Sequence, residues 1–315
     1  MHHPHLQPGT LWPAIVQRTA HALRSGALCP IETVRTVIED GGVRFLVCEA
    51  LSLRSKDKAR KPGSAGGNPF LPYDAELFVT DISDDHVVLL NKFNVVEHHL
   101  LIVTRCFQAQ ESLLTVPDFA ALLACMAEFP SLGFYNGGAA AGASQGHKHL
   151  HLVPLPLARD GPSMPIETLL RSAQAGAPGT VGAVPGLAFA HAFAPLDLIA
   201  APRHEMAHAA YERYRILLDA VGVRALPVDG ALLQSAPYNL LVMPAGLLVV
   251  PRSRECVEGI SINALAFAGS VFVRDAAQLR AVEKLGPMNL LRRAAAAGEP
   301  GGAGPYAADT NPPLA

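Results

Sequence analysis

Apolar and polar residues along this chain are spaced in two ways, one typical of helices and the other of strands. Helical spacing predicts helices at residues 10–24, 115–129, 203–221 and 275–296. Thr10 is a suitable N-cap for the first of them, and Gly26 follows its end. Short apolar runs predict strands at residues 43–51, 78–82, 87–91, 100–104, 239–243 and 247–250. Residues 158–187 have no clear period and are predicted to be a connection.

The stretch HKHLHLV at residues 147–153 carries the strongest chemical signal in this pattern. Histidines at every second position of an apolar segment predict a strand with its imidazoles on one face. A loop of small residues, NGGAAAGASQG at 136–146, comes directly before it, and its N–H groups and short polar side chains suit an anion such as phosphate. A neutral imidazole is a good nucleophile near pH 7. The two segments together predict phosphoryl or nucleotidyl transfer through a phosphorus–histidine bond.

Two other interpretations of the histidines are less favoured. A zinc site is weakly supported, because Lys148 stands between two of them and no cysteine or carboxylate lies nearby. A solvated strand face is an ordinary explanation, but three histidines within five residues far exceed normal usage. The adjoining glycine-rich loop therefore favours a chemical role.

A second motif, HEMAH at residues 204–208, matches the HExxH pattern of zinc proteases. On a helix this pattern places His204 and His208 on one face to bind zinc, with the glutamate as the base. However, Tyr211 and Tyr214 stand where the extended metzincin motif has glycine and a third histidine. A helix start with an acidic residue near its N-terminus explains the segment more simply. A zinc protease is therefore the unfavoured alternative.

Composition limits the partners that the chain is expected to bind. Charged residues make up 17% of its 315 residues and the formal net charge is −2. Neither nucleic acid nor a membrane is therefore expected as a binding partner. Five scattered cysteines without a CxxC pair predict reduced thiols and a cytoplasmic location. No apolar run reaches the roughly 18 residues of a membrane-spanning helix.

The histidine stretch resembles the histidine-triad (HIT) signature, His-φ-His-φ-His-φ-φ, in which φ is apolar. Further blocks resemble one branch of that superfamily, the diadenosine tetraphosphate phosphorylases, also called ATP adenylyltransferases. These blocks follow the family order from about residue 25 to about residue 291 and lie at residues 25–31, 68–73, 90–100, 134–136, 251–253 and 259–270. The chain is thus identified by resemblance as a member of this family over nearly its whole length.

The resemblance implies an α+β, HIT-like fold: a mainly antiparallel sheet flanked by helices, with a C-terminal lobe packed on it. It divides the chain into an N-terminal HIT-like catalytic part at residues 1–157, a connecting segment at 158–185, and a C-terminal ATP adenylyltransferase part at 186–297. Residues 298–315 are expected to be a flexible tail, because they contain too few apolar residues to become ordered.

The resemblance also implies a reaction, the phosphorolysis of diadenosine tetraphosphate (Ap4A) to ATP and ADP. His149 would be the nucleophile that attacks the α-phosphorus, with His147 and His151 beside it in the catalytic site. The covalent adenylyl-histidine would then pass its adenylyl group to orthophosphate. The expected ligands are the dinucleoside polyphosphate, ATP, ADP and phosphate. No covalently bound cofactor and no protein metal site are expected, and a divalent cation such as Mg²⁺ accompanying the polyphosphate is left open.

Substrate contacts are implied for residues at matching positions. Asn91 would contact the ribose, Asn136 the α-phosphate region, and Lys92 and Lys56 the polyphosphate. A further histidine of HIT proteins matches His99. Preorganised donors for the α-phosphoryl oxygens would come from the loop residues Gly142, Ala143, Ser144 and Gln145. Arg252 is either a phosphate partner or one member of a surface ion pair.

Two alternative functions stay open at this point. Eukaryotic members of the branch usually have glutamine at the third triad position, whereas this chain has His151, as hydrolytic HIT proteins do. A HIT-type dinucleoside polyphosphate hydrolase is therefore one alternative. A non-catalytic nucleotide-binding module is the other, although a pure binder gains nothing from a nucleophilic imidazole beside an α-phosphate.

Overall fold

The computed structural model describes residues 6–51, 67–158, 160–173, 181–196 and 203–298. Lys56 and nearly all of the predicted tail lie outside these residues. The described helices are α1 (Leu11–Ser25), α2 (Val116–Met126), α3 (Glu167–Ala173), α4 (Arg203–Ala220), α5 (Ala264–Phe267), α6 (Ala276–Leu285) and α7 (Pro287–Ala294). None of them combines the length and apolar character needed to cross a membrane.

The strands are numbered in chain order as follows: β1 (Thr33–Asp40), β2 (Val43–Ala50), β3 (Phe78–Asp81), β4 (His86–Leu90), β5 (Leu100–Thr104), β6 (Ser131–Gly137), β7 (His149–Pro154), β8 (Ala192–Pro195), β9 (Ala225–Val228), β10 (Ala231–Gln234), β11 (Tyr238–Met243), β12 (Gly246–Pro251), β13 (Cys256–Val257), β14 (Ile260–Ser261) and β15 (Ser270–Val273). Eight of them form the central sheet in the order β3-β4-β5-β7-β6-β11-β12-β8. Every neighbouring pair in this sheet is antiparallel. The predicted α+β fold with a mainly antiparallel sheet is confirmed.

One face of the central sheet is covered by helices α1, α2 and α4. Side chains alternate along a strand, so every second residue of β7 points to this face. Leu150 and Leu152 are fully buried here and share a core with Ile15, Phe119 and Leu217 of the three helices. This apolar layer fixes which side of β7 carries the histidines.

The opposite face packs on a smaller sheet and on the C-terminal helices. In the smaller sheet β1 pairs with β2 antiparallel, and β2 pairs with β15 parallel. A second core joins Phe134 and Leu248 of the central sheet to Phe45 of β2 and Leu290 of α7. Each of the two sheets therefore contains strands from before residue 158 and strands from after it. The predicted part boundaries at 157, 185 and 297 remain predictions.

Several elements were not predicted from the pattern, and three of the differences have a local physical reason. β1 was not predicted, because its segment is largely polar and its residues are exposed or half-buried. α3 lies inside the predicted connection at 158–187 and buries only Leu170. The predicted helix at 275–296 is two helices, since Gly286 has a φ of 81° and Pro287 begins the next helix.

Candidate active site

The histidine strand lies inside the central sheet, between β5 and β6. β7 pairs Val103 with His149 on one side and Phe134 with His151 on the other. His147 precedes the strand and joins the sheet through a single bridge to Ala109. Its ring and that of His149 both contact Phe70, at centroid distances of 5.6 Å and 5.3 Å. The histidines thus stand on the face opposite to the helix-covered core.

The ring of His149 has one nitrogen held by the main chain and the other free. Its side chain is buried, and Nδ1 lies 2.7 Å from the carbonyl oxygen of His147. A carbonyl can only accept, so Nδ1 carries the proton and Nε2 keeps a free lone pair. Burial lowers the pKa of His149 to about 4, and the bond to the His147 carbonyl only partly opposes this shift. The imidazole is therefore neutral near pH 7.

A chain of hydrogen bonds sets the tautomer of His151. Asn91 Oδ1 accepts from the backbone N–H of Phe93, so its Nδ2 faces His99 Nδ1 at 3.2 Å. His99 then donates from Nε2 to His151 Nδ1 at 3.0 Å. Burial, and secondly the proximity of His149, lower the pKa of His99 to about 3, so this ring is neutral. Neutral His151 consequently carries its hydrogen on Nε2.

Asn136 places a second hydrogen-bond donor beside Nε2 of His151. Its Oδ1 already accepts from Asn239 Nδ2 and from the Ala264 N–H, each at 2.9 Å. The amide nitrogen Nδ2 therefore faces outward, 3.5 Å from His151 Nε2. Because both groups are donors, they do not bond to each other, and an oxygen of an anion would satisfy both. Phe134 stacks on His151 at 4.5 Å and holds its ring in this orientation.

His147 is fixed by neighbours that the sequence did not single out. Asn68 Oδ1 accepts from the Phe70 N–H, so its Nδ2 donates to His147 Nδ1 at 2.8 Å. The other ring nitrogen of His147 donates to the Thr104 carbonyl oxygen at 2.8 Å. Both ring nitrogens are thus occupied, and the contribution of this residue to the site is its carbonyl, which orients His149.

The glycine-rich loop differs in part from its predicted role. Gly142 has a φ of 91°, and a Cβ there would lie 2.8 Å from the Ile262 carbonyl oxygen, so the position requires glycine. The N–H of Gly142 donates to Ala139 at 2.9 Å and that of Ala143 to Gly138 at 3.2 Å. These two groups are therefore not available to phosphate, contrary to the prediction.

The last part of the loop differs from Gly142 and Ala143 in its exposure and hydrogen bonding. Residues 144–146 are exposed and lead directly into His147. Within the described part of the chain, the backbone N–H groups of Ser144, Gln145 and Gly146 have no acceptor. Lys92 is about half exposed, and its Nζ forms a long ion pair with an oxygen of Asp74 at 3.9 Å.

Arg252 is a correction to the sequence-based prediction. Its side chain is buried, and Nε donates to the Ala294 carbonyl at 3.1 Å. The terminal nitrogens donate to Asn239 Oδ1 and to four carbonyl oxygens, those of Ala141, Arg254, Glu255 and Ile262. With its donors used inside the protein, Arg252 neither forms a surface ion pair nor offers a free N–H to phosphate. It instead ties the glycine-rich loop to the C-terminal segments.

The HEMAH segment forms the start of α4, on the other side of the sheet from the histidines. Its middle residues Met206 and Ala207 are buried in the helix-covered core, whereas Glu205 and His208 are exposed. Among the described residues, no group of three histidine, cysteine, aspartate or glutamate side chains could hold a metal ion.

This fold and site define a nucleotidyltransferase of the histidine-triad type. The sequence model of the Ap4A phosphorylase N-terminal domain matches residues 1–172, and that of the ATP adenylyltransferase C-terminal domain matches residues 185–297. The chain belongs to the Ap4A phosphorylase family. The family predicted from the sequence blocks is therefore confirmed.

Individual relatives agree with this assignment. The chain is 29% identical over 264 residues to diadenosine tetraphosphate phosphorylase 2 of Saccharomyces cerevisiae, covering 75% of this chain and 78% of the relative. It is 30% identical to protein APA1 of the same yeast over 163 residues, 47% of this chain and 50% of that protein. The crystal structure of yeast Ap4A phosphorylase Apa2 has a TM-score of 0.73 at 23% identity, covering 92% of this chain and 98% of the other. The crystal structure of yeast Apa2 in complex with Ap4A has a TM-score of 0.72.

Proposed function

We propose that this protein catalyses the phosphorolysis of Ap4A to ATP and ADP through an adenylyl group carried on His149. The hydrogen bond from His149 Nδ1 to the His147 carbonyl carries the proposal, because it leaves Nε2 unprotonated on a buried, neutral ring. Such a nitrogen approaches a polyanion without the repulsion that an anionic nucleophile would meet.

The first step joins His149 Nε2 to the α-phosphorus and breaks the bond from that phosphorus to the bridging oxygen. The leaving oxygen takes the electron pair, and ATP departs. The ring becomes cationic as the bond forms, and its Nδ1–H bond to the His147 carbonyl strengthens. In the second step a phosphate oxygen attacks the same phosphorus, the nitrogen recovers its lone pair, and ADP leaves.

The paired donors of Asn136 and His151 would hold an α-phosphoryl oxygen during both steps. They stand 3.5 Å apart with no shared acceptor among the described residues. Negative charge develops on the phosphoryl oxygens in the transition state, and fixed donors in a buried site stabilise that charge by several kcal/mol. In this role His151 contacts the phosphoryl group without activating water, so a histidine at the third triad position is compatible with phosphorolysis.

Orthophosphate must reach the adenylyl group ahead of water, which requires an anion pocket beside the α-phosphorus. We propose that it is built from the N–H groups of residues 144–146 together with Lys92 and Lys56. The exposed loop and the half-exposed Lys92 support this. No covalently bound cofactor is needed for these steps. Where Mg²⁺ takes part, it would enter with the polyphosphate, since it binds phosphate oxygens with few protein ligands.

Incubation with Ap4A is expected to yield ATP and ADP in equal amounts when orthophosphate is present. The physical reason is the higher effective concentration of phosphate in the anion pocket. Chromatography that resolves ATP, ADP and AMP, with and without orthophosphate, measures this. Equal yields of AMP in both incubations would instead identify a hydrolase and leave the His149 chemistry intact.

Rate measurements against pH test the neutral state of His149. In the free enzyme kcat/KM for Ap4A is expected to show no loss from histidine protonation between pH 8 and about 5, because the lowered pKa of about 4 keeps the ring neutral there. The rate should halve near pH 4 and fall about tenfold per pH unit only below it. A fall beginning near pH 6.5, the value of an ordinary imidazole, would contradict a buried nucleophile.

We further propose a cytoplasmic location and small-molecule partners alone, without nucleic acid or membrane. All five cysteines are free thiols, as is usual in a reducing compartment. The near-neutral charge balance offers no extended basic surface to nucleic acid.

A further inference from the structure

The strand that carries His149 loses its usual partner at the nucleophile. β6 pairs with β7 from Ser131↔Pro154 to Phe134↔His151. In this register Tyr135 would next face Leu150 and Asn136 would then face His149, but the pairing ends before both. At that level the two strands have separated. A separated pair leaves buried N–H and C=O groups without partners, which costs stability and permits the chain to shift.

The side chain of Gln110 fills this gap. Its Oε1 accepts from the His149 N–H at 2.9 Å, and its Nε2 donates to the His149 carbonyl at 3.2 Å and to the Asn136 carbonyl at 2.9 Å. One amide thus takes the place of a strand neighbour for both polar groups of the His149 backbone. The side chain is completely buried and none of its polar atoms lacks a partner.

Gln110 is itself held in place from several sides. Its backbone N–H donates to the Gly146 carbonyl at 2.9 Å, and its own carbonyl accepts from the Tyr135 hydroxyl. The neighbouring Gln108 carbonyl accepts from the Lys148 N–H at 2.8 Å. That N–H belongs to the same peptide unit as the His147 carbonyl, which fixes the tautomer of His149. The segment around Gln110 therefore holds His149 in two ways. The Gln110 side chain bonds to the His149 main chain, and Gln108 bonds to the peptide unit that contains the His147 carbonyl.

We infer that Gln110 is a positioning residue for adenylyl transfer: its amide fixes the main chain of His149 so that Nε2 stays aligned with the α-phosphorus. This inference rests on the proposed function. Gln110 does not touch the reacting atoms. Its effect is on the alignment of the nucleophile, and misplacement by about 1 Å costs on the order of a hundredfold in rate.

Gln110→Met tests the inference, because methionine has a similar length and makes no comparable hydrogen bonds. We expect kcat for Ap4A to fall about 10- to 100-fold while KM stays within about twofold, since nucleotide contacts are unchanged. The matched control is Gln278→Met. Gln278 also joins two backbone groups, the Arg274 N–H at 2.8 Å and the Gly259 carbonyl at 2.9 Å, but does so at the exposed end of α6. Its kcat should stay within about twofold of wild type.

The outcomes separate positioning from mere support of the fold. A Gln110→Met protein with wild-type kcat per folded molecule, or with a raised KM and unchanged kcat, overturns the inference. If that variant does not fold, Gln110→Asn decides, because its shorter amide stays polar but cannot span the same backbone groups; wild-type kcat in Gln110→Asn overturns the inference. Failure of wild-type protein to split Ap4A would refute the proposed function, which the wild-type assay alone decides before any variant is compared.

Discussion

His149→Asn is expected to lower the turnover of Ap4A by at least about a thousandfold, while its affinity for Ap4A changes by no more than about threefold. The asparagine amide can still donate to the His147 carbonyl in place of Nδ1, so the pocket keeps its shape. Both proposed chemical steps pass through Nε2, and asparagine has no corresponding atom. Turnover is followed by release of ATP and ADP, and affinity by calorimetric titration of the inactive variant with Ap4A itself.

The chain offers a closely matched control in His191→Asn. His191 is buried, and its Nδ1 also lies close to the carbonyl two residues back, 2.8 Å from the oxygen of Phe189. It directly precedes β8, which is separated from β7 by β6, β11 and β12 within the central sheet. This variant should keep its turnover per folded molecule. Near-normal turnover in His149→Asn would place the chemistry on another residue.

Asp118→Ala is expected to lower the free energy of unfolding by about 3 to 5 kcal/mol. Asp118 lies in the first turn of α2, and its carboxylate is bound by Lys148 Nζ at 2.7 Å and His86 Nε2 at 2.9 Å. All three side chains are buried on the helix-covered side of β7. Alanine leaves the Lys148 ammonium in the core without its counter-charge and removes one half of the capping box of α2, in which Asp118 accepts from the Thr115 N–H. Urea denaturation measures the loss.

An exposed aspartate provides the comparison. Asp81 pairs with Arg105 at the surface, where its side chain is 50% exposed, and Asp81→Ala should cost less than about 1 kcal/mol. A loss of similar size in both variants would show that burial of the Asp118 pair does not set its strength.

The stability from Asp118 also has a predictable pH dependence. Burial opposes its ionisation, but the hydrogen bond from His86 and the charge of Lys148 outweigh burial and lower the pKa of Asp118. A carboxyl with a lowered folded-state pKa stabilises the fold above its unfolded pKa, about 4, and loses that contribution only as the pH falls below it. The wild-type protein should therefore keep this contribution throughout the neutral range.

The sequence was informative wherever neighbouring residues alone decide the geometry. The shared face of His147, His149 and His151 follows from strand alternation, and the end of α1 at Gly26 and the start of α2 at Thr115 follow from local residues. Thr10, the predicted N-cap of α1, makes no side-chain capping bond. The need for glycine at position 142, by contrast, comes from its contact with Ile262, more than a hundred residues away along the chain.

What could not be predicted depends on pairing between distant segments. His99 reaches His151 only because β5 lies beside β7, and no spacing along the chain encodes that neighbourhood. Gln110 lies in an irregular segment without periodicity or motif, so its position between two strands could not be predicted from the sequence. Arg252 was predicted to be a phosphate partner or a member of a surface ion pair, because its burial depends on carbonyls that the C-terminal segments bring to it.

The shared central sheet has a consequence for how the protein is made. β6, which carries Asn136, completes its pairing only with β11, Tyr238–Met243. During synthesis one edge of β6 therefore stays unpaired until roughly 100 further residues are made. This delay is about 5 to 20 seconds at usual elongation rates. Asn136 also depends on Asn239 of β11 for its orientation. The Nδ2 donor of Asn136 is thus aligned only after most of the chain has left the ribosome, so a nascent chain that already contains all three histidines still lacks this arrangement.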